Sequence, residues 1–461
     1  FRRVLFRSSG GDISLLAGHD ITQTAAGDLS ITAAAKAMSL QAGNSITMAT
    51  GALSSTTNGA VRYEATLGTI SLDQITAGTG AVTLVAGVAV ADGDTALDIT
   101  AGTLSITAGS VGTSTDALEI SVDTLTLTTN SGSAYLTESN SLGLGLVSSA
   151  GALALTASGS ITVNAGTSAG VSAVGNLYLN ASGTSSDVVA NASMGSTTGH
   201  LTVLAGRNLT LATGGDITVT AGSVDLQAGN NITMNSGTGS QRTERAITAG
   251  LDVQLKAGAD IALGNITATG HAVALIATGA VLDGDANADV TASGLYVQAG
   301  GAIGSITDAL DTSVATLALR VGTTGAFVQE TDALNISNVS VAVNRLNSIA
   351  AVDATASAAQ GGTWEDLRTT SANLVLVLQA GGTLTLEAGS SNDGVSVLSS
   401  GNLLLSASGS SSDLVLNAAV SSTGGNISLL AGRDVTQAAA GDVSTATTAK
   451  TIDVRATRAI T

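Results

Sequence analysis

Cysteine and proline are both absent from the 461 residues, and only eight residues are aromatic: three Phe, four Tyr and one Trp. Without Cys there is no disulfide and no thiolate metal site. Without Pro, every interior strand can donate its full set of backbone hydrogen bonds. So few aromatics exclude the thick core of an ordinary globular enzyme. Basic residues are scarce too: 16 Lys and Arg stand against 34 Asp and Glu, for a net charge of −18. Such a chain repels nucleic acid and anionic lipid, which excludes both as partners. Long apolar runs are missing despite a mean hydropathy of +0.40. The uncharged stretch from Ser139 to Ser186 is broken every few residues by Ser, Thr, Gly or Asn, so it reads as strands and not as a membrane helix. With 11% charged and 44% hydrophobic residues the chain is also unlike a disordered acidic tail.

What is present is one short phrase, repeated. Gly11-Asp-Ile-Ser-Leu-Leu-Ala-Gly18 is followed by Asp20-Ile-Thr-Gln-Thr-Ala-Ala-Gly27, then Asp28-Leu-Ser-Ile-Thr-Ala33, then Ala37-Met-Ser-Leu-Gln-Ala-Gly43. Apolar residues alternate with Thr and Ser, which is the period of a strand. Gly closes each unit, where it would permit a positive φ at a corner, and Asp or Asn caps the local backbone. Near-identical phrases in succession predict strands that stack on their equivalents one coil away. The expected fold is all-β: a single-stranded parallel β-helix (β-solenoid) with two or three strands per coil. Coils of roughly 18–27 residues would give about 17–25 of them, with Ile, Val, Leu and Ala inward and Thr, Ser, Gln and Asp outward. An array of immunoglobulin-like sandwiches is the competing all-β reading. It lacks its hairpin turns, prolines and core aromatics.

A longer period lies above the short one. Leu40-Gln-Ala-Gly-Asn-Ser-Ile-Thr-Met48 returns as Leu226-Gln-Ala-Gly-Asn-Asn-Ile-Thr-Met234, and Asn176-Leu-Tyr-Leu-Asn-Ala-Ser-Gly183 returns as Asn402-Leu-Leu-Leu-Ser-Ala-Ser-Gly409. The offset grows from 192 at Asp308 to 223 at Leu384, which places about thirty extra residues within 339–373. The expected organisation is a first long copy over 10–198, a second over 199–424 carrying that insertion, and the start of a third over 425–461. Residues 1–9 match nothing downstream. They read as an artefact or linker outside the fold. The chain opens without Met and stops inside a repeat, so it is expected to be an internal piece of a longer protein.

Candidate chemistry is sparse. His19, His200 and His271 each sit beside a corner Gly, and the place of His19 is taken by Arg207 and Arg433 in later copies, as a solvated corner allows. Asp283-Gly-Asp-Ala-Asn-Ala-Asp289 spaces oxygen ligands like the start of a calcium loop, but its equivalent Asp92-Gly-Asp-Thr-Ala-Leu-Asp98 loses the third ligand, which favours a capped turn. No metal or cofactor is expected. A threonine face of the ice-binding kind is not expected either, because Ser, Gln, Asp and Ala interrupt it. The irregular place is the insertion. Trp364, Glu365, Asp366 and Arg368 are the candidate partner-binding residues there, on a segment that either loops out for recognition or folds back to cover the solenoid.

The repeated Gly-Asp-Ile-Thr/Ser-Leu-x-Ala-Gly phrase resembles the haemagglutinin-type repeats of large bacterial secreted adhesins, the filamentous haemagglutinin-like exoproteins among them. The resemblance runs from Gly10 to about Thr461. It implies a right-handed β-helix, an extracellular or cell-surface location, and a role in attachment or biofilm formation. It also implies partners: a host or neighbouring-cell surface glycan or protein, with an outer-membrane secretion partner for export. It carries over no functional residue. The function expected is a structural stalk with no enzymatic activity. A polysaccharide-degrading β-helix enzyme is the alternative, which would need carboxylates converging in one groove.

Overall fold

The computed structural model describes residues 6–166, 170–236, 243–283, 287–372, 374–390 and 394–461. It is 56% strand and forms a parallel β-solenoid of about 19 turns. Strand Ile13–Ala17 lies on Met38–Ala42, which lies on Val61–Ala65, which lies on Ala81–Ala86, all parallel. The steps Ile13 to Met38, Met38 to Val61 and Val61 to Val82 are 25, 23 and 21 residues, inside the expected coil length. One full turn holds three strands, for instance Leu177–Ala181, Val188–Ala190 and Met194–Ser196. Parallel pairing across turns excludes the sandwich array. Two short antiparallel pairs are found among the described residues, one of them closing the insertion.

Two compact units share the chain. One runs to Arg207 and adds Gly214–Val219 and Leu346–Val352; the other takes Asn208–Thr213, Thr220–Arg345 and Asp353–Thr461.

Period-two burial builds the core. Leu40, Tyr63, Leu84, Ile106 and Leu127 stand in register on successive turns, each essentially fully buried. One turn's inward apolar residue thus covers the next, and a thin core needs no large side chains. Tyr63 is the exception, and burial pushes its hydroxyl pKa up. It bonds Ser54 Oγ at 2.5 Å, and Ser54 donates to Gln23 Oε1 at 3.1 Å, so the buried polar groups satisfy one another. On the same strands the outward column reads Ser39, Arg62, Thr83, Ser105 and Thr126.

Positive φ, expected at the glycines that close the units, is found at some of them, such as Gly51 and Gly78, and at Gly112 as well. At Gly43 and Gly206, which have no positive φ, the need is for space. A Cβ on Gly43 would lie 2.3 Å from Gly18 O, and one on Gly206 would lie 1.9 Å from Gly183 O. The corners of adjacent turns stack backbone on backbone, and only Gly fits.

Phe6–Ser8, expected to lie outside the fold, pairs in parallel with Leu29–Ile31 within Leu29–Ala34.

The insertion begins where Val339–Val341 pairs antiparallel with Gly362–Trp364. Residues 342–361 form an arm between them. It holds the helix Ala354–Gln360, capped by Asp353 Oδ1 accepting the Ala356 N–H at 2.8 Å. The chain rejoins the solenoid at Leu367–Thr369, paired with Leu319–Val321 inside Leu310–Val321.

Candidate functional site

Two places concentrate polar chemistry, a carboxylate corner and the arm. At the corner, Asp92 and Asp94 cap their own turn: Asp92 Oδ1 accepts the Asp94 N–H at 3.2 Å, and Asp94 Oδ1 accepts the Ala96 N–H at 2.7 Å. That is the capped turn read from the sequence. Asp98, 1% exposed, then accepts the Glu119 N–H of the next turn at 3.0 Å. Oxygens of Asp92, Asp98 and Glu119 all come within 4.8 Å of one another. Such a trio can hold shared protons or a hard divalent cation. Burial first, then the charge of Asp92, pushes Asp98 up to about 9. Glu119 is pushed up as well, by burial and by the hydrogen bond and charge of Asp92. Protons are therefore retained at neutral pH.

The sequence did not reveal Glu119 as a member. Its signal was the 21-residue turn, which puts position 119 in register beside position 98. Asp283, Asp289 and Asp311 follow a similar spacing later in the chain, and Asp289 N donates to Asp311 O at 2.8 Å as Asp98 N does to Glu119 O at 3.0 Å. Of the proposed calcium-like stretch, residues 284–286 lie outside the described residues.

Other buried carboxylates are also corner caps. Glu138 accepts from Val122 N–H and Asn140 N–H, both at 3.0 Å, and its counterpart Glu330 accepts from Val314 N–H at 3.0 Å and Asp332 N–H at 3.1 Å. Burial pushes Glu138 up to about 7 against these bonds. His19 contacts Asp20 at 2.6 Å, and Arg207 and Arg433 reach back to Asp187 and Asp413 through Nε at 2.8 and 2.7 Å. The two arginines tie turn to turn.

A pH dependence follows. The folded pKa of Asp98 stands above the unfolded value near 3.9, so between those limits the folded state binds more protons. The corner's contribution is full below about pH 4 and is lost as pH rises through about 9, with Glu138 adding the same sign up to about 7. The urea midpoint should therefore be higher at pH 5 than at pH 9, and Asp98→Asn should remove most of the difference. A midpoint that rises with pH would contradict the assignment.

The segment that returns from the arm to the solenoid holds the four residues singled out from the sequence. Trp364 stacks on Tyr296, with centroids 4.1 Å apart and planes 3° apart. Around them pack Ala272, Ala274, Ala318, Val339, Val341 and Val343. Glu365 Oε2 accepts from Ser390 Oγ at 3.1 Å. Asp366 is fully buried at φ +66 and accepts from Arg368 Nε at 3.1 Å and Nη2 at 2.8 Å. The structure thus gathers these side chains against the solenoid, as in the covering alternative.

The arm's backbone is held by outward side chains of the turns. Ala342 N–H donates to Asp252 Oδ2 at 2.6 Å and Asn344 N–H to Ser223 Oγ at 2.9 Å. Arg345 Nε lies 3.8 Å from the fully buried Asp225. In the other unit, Leu346 N–H donates to Thr202 Oγ1 at 3.0 Å, and Asn176 Nδ2 donates to Ala350 O at 2.8 Å. Under this cover the outward residues Ala154, Tyr178, Thr202, Asp225, Gln254, Ala274, Tyr296 and Ala318 are buried, which breaks the period-two pattern there.

The class is thereby defined: a parallel β-solenoid protein. No protein-family model matches the chain, and no curated protein or solved structure similar to it was found. Among the described residues no helix is long and apolar enough to cross a membrane.

Proposed function

We propose that this chain is a structural section of a very large bacterial surface or secreted adhesin. It holds binding regions away from the cell for attachment or biofilm formation. The observation that supports this reading is the use made of the polar groups. Buried carboxylates cap amides of a neighbouring turn, corner arginines pair with acids one turn back, and each device recurs in the tandem copy. Duplicated devices suit a repeating support, whereas catalysis needs one unrepeated constellation. The resemblance of the Gly-Asp-Ile-Thr/Ser-Leu-x-Ala-Gly phrase to haemagglutinin-type repeats adds the surface location. Intact cells that make the protein, treated with a membrane-impermeant biotin reagent, should yield it labelled. Labelling only after lysis would overturn the location.

One observation favours the second reading, a polysaccharide-degrading enzyme: the convergence of Asp92, Asp98 and Glu119. Incubation with pectate, alginate and hyaluronan distinguishes the two. The stalk reading expects no new reducing ends and no unsaturated uronate absorbance. Turnover abolished by Glu119→Gln would replace it.

A further inference from the structure

The arm's tip occupies a groove in the first long copy, and the second copy repeats that groove without such a cover among the described residues. In the first, Tyr135, Ala154, Tyr178 and Thr202 stand in register on successive turns, facing outward. Leu346 and Ala350 lie on this floor, in one cluster with Ala154 and Tyr178. In the second, Phe327, Val377, Leu404 and Ser428 stand in the same register. Apolar replaces apolar and hydroxyl replaces hydroxyl. Yet Ala154 and Tyr178 are 2% and 5% exposed, whereas Phe327, Val377 and Leu404 are only half-buried and floor a cavity of about 460 Å³.

The polar anchors recur as well. Asn176 accepts the His200 N–H through Oδ1 at 2.9 Å, which leaves Nδ2 for Ala350 O. Asn402 accepts the Asn426 N–H through Oδ1 at the same 2.9 Å, and its exposed Nδ2 has no acceptor among the described residues. Ser428 stands where Thr202 receives Leu346 N–H. Beside Ser428 in register is Asp453, in the sequence place of Asp225, the acid that faces Arg345; Asp453 accepts from Arg455 Nε at 3.1 Å and keeps a half-exposed carboxylate.

We propose that the groove floored by Phe327, Val377 and Leu404 is a docking site for an extended polypeptide arm of the chemistry of residues 345–350, carried on another polypeptide. That chemistry is a basic residue, a leucine, a turn of Asn, Ser and an outward Ile, and an alanine whose carbonyl takes a side-chain amide. The floor buries the leucine and the alanine, Asn402 Nδ2 donates to the alanine carbonyl, Ser428 accepts the leucine amide, and Asp453 faces the basic residue.

The test is fluorescence anisotropy of a labelled peptide of residues 342–353 titrated with the full chain. Saturable binding is expected, weakened at least about tenfold by Leu404→Asp and about threefold to tenfold by Asn402→Ala. Leu346→Asp in the peptide should weaken it alike, and Thr83→Ala, at an outward position away from both grooves, should leave it unchanged. Asn402 and Leu404 face outward, and circular dichroism checks that both variants fold. Absence of saturation up to about 1 mM peptide would overturn the proposal, as would binding indifferent to both groove variants. Self-association that Leu404→Asp abolishes but the peptide does not compete would overturn it too, because a second solenoid face would then be the occupant.

Discussion

Gly206→Ala should cost about 3 kcal/mol of local stability, while the same change at Gly18, in the same place of the repeated phrase, should cost within about 0.5 kcal/mol. A Cβ on Gly206 would lie 1.9 Å from Gly183 O and 2.8 Å from its carbonyl carbon, so backbone must move. The Gly206 N–H also donates to Ala181 O at 2.9 Å, and movement strains that bond. At Gly18 nothing lies within 4 Å of the added carbon. The comparison separates close approach from conformational freedom. Neither glycine has a positive φ, so a corner that needed only backbone freedom would treat the two alike. Hydrogen exchange of the amides around Leu201–Ala205 and Leu177–Ala181, against those of Ile13–Ala17, measures the loss locally. Equal effects at both positions would contradict the stacked-corner account.

Trp364→Ala should release the arm without unfolding the solenoid. The indole is half-buried and stacked on Tyr296, so its removal is expected to cost about 2–3 kcal/mol, below the range for a fully buried Trp. Arg345 is the single tryptic site within residues 342–361. Cleavage after it requires the arm to open, so the rate follows the open population and should rise by roughly tenfold or more in the variant. Trp364→Phe, which keeps an aromatic face on Tyr296, should restore most of the protection. A cleavage rate unchanged by Trp364→Ala would mean that the stack does not hold the arm.

The solenoid was legible because its cause is local. Alternating Thr and apolar residues make a strand wherever they fall, and nearly equal phrase lengths put Leu40, Tyr63 and Leu84 in one column without any long-range information. The insertion was legible as a break in the long period. What closes it was not, because Val339 and Trp364 meet only once the antiparallel pair forms. The burial of Tyr178 depends on Leu346 and Ala350, more than 160 residues away, so its own strand gives no sign of a cover. The carboxylate corner failed to show for a smaller reason. Asp98 and Glu119 belong to different phrases, and only an exact turn length brings them together. Of the residues expected to bind a partner, Trp364 and Asp366 could be singled out by rarity and position, but whether such side chains face outward or inward is decided by tertiary packing.

The central claim is parallel, in-register stacking of successive turns, and the absence of native cysteine allows a direct test. Thr83, Ser105 and Thr126 stand in one outward column. Spin labels on the double variants Thr83→Cys with Ser105→Cys, and Ser105→Cys with Thr126→Cys, should each show the strong dipolar broadening of sites about 5 Å apart along the backbone. The pair Thr83→Cys with Thr126→Cys should show the weaker broadening of about 10 Å. Broadening in the first pair with none in the second would mean that Ser105 has a neighbour on one side alone, as in isolated hairpins, and would contradict the solenoid.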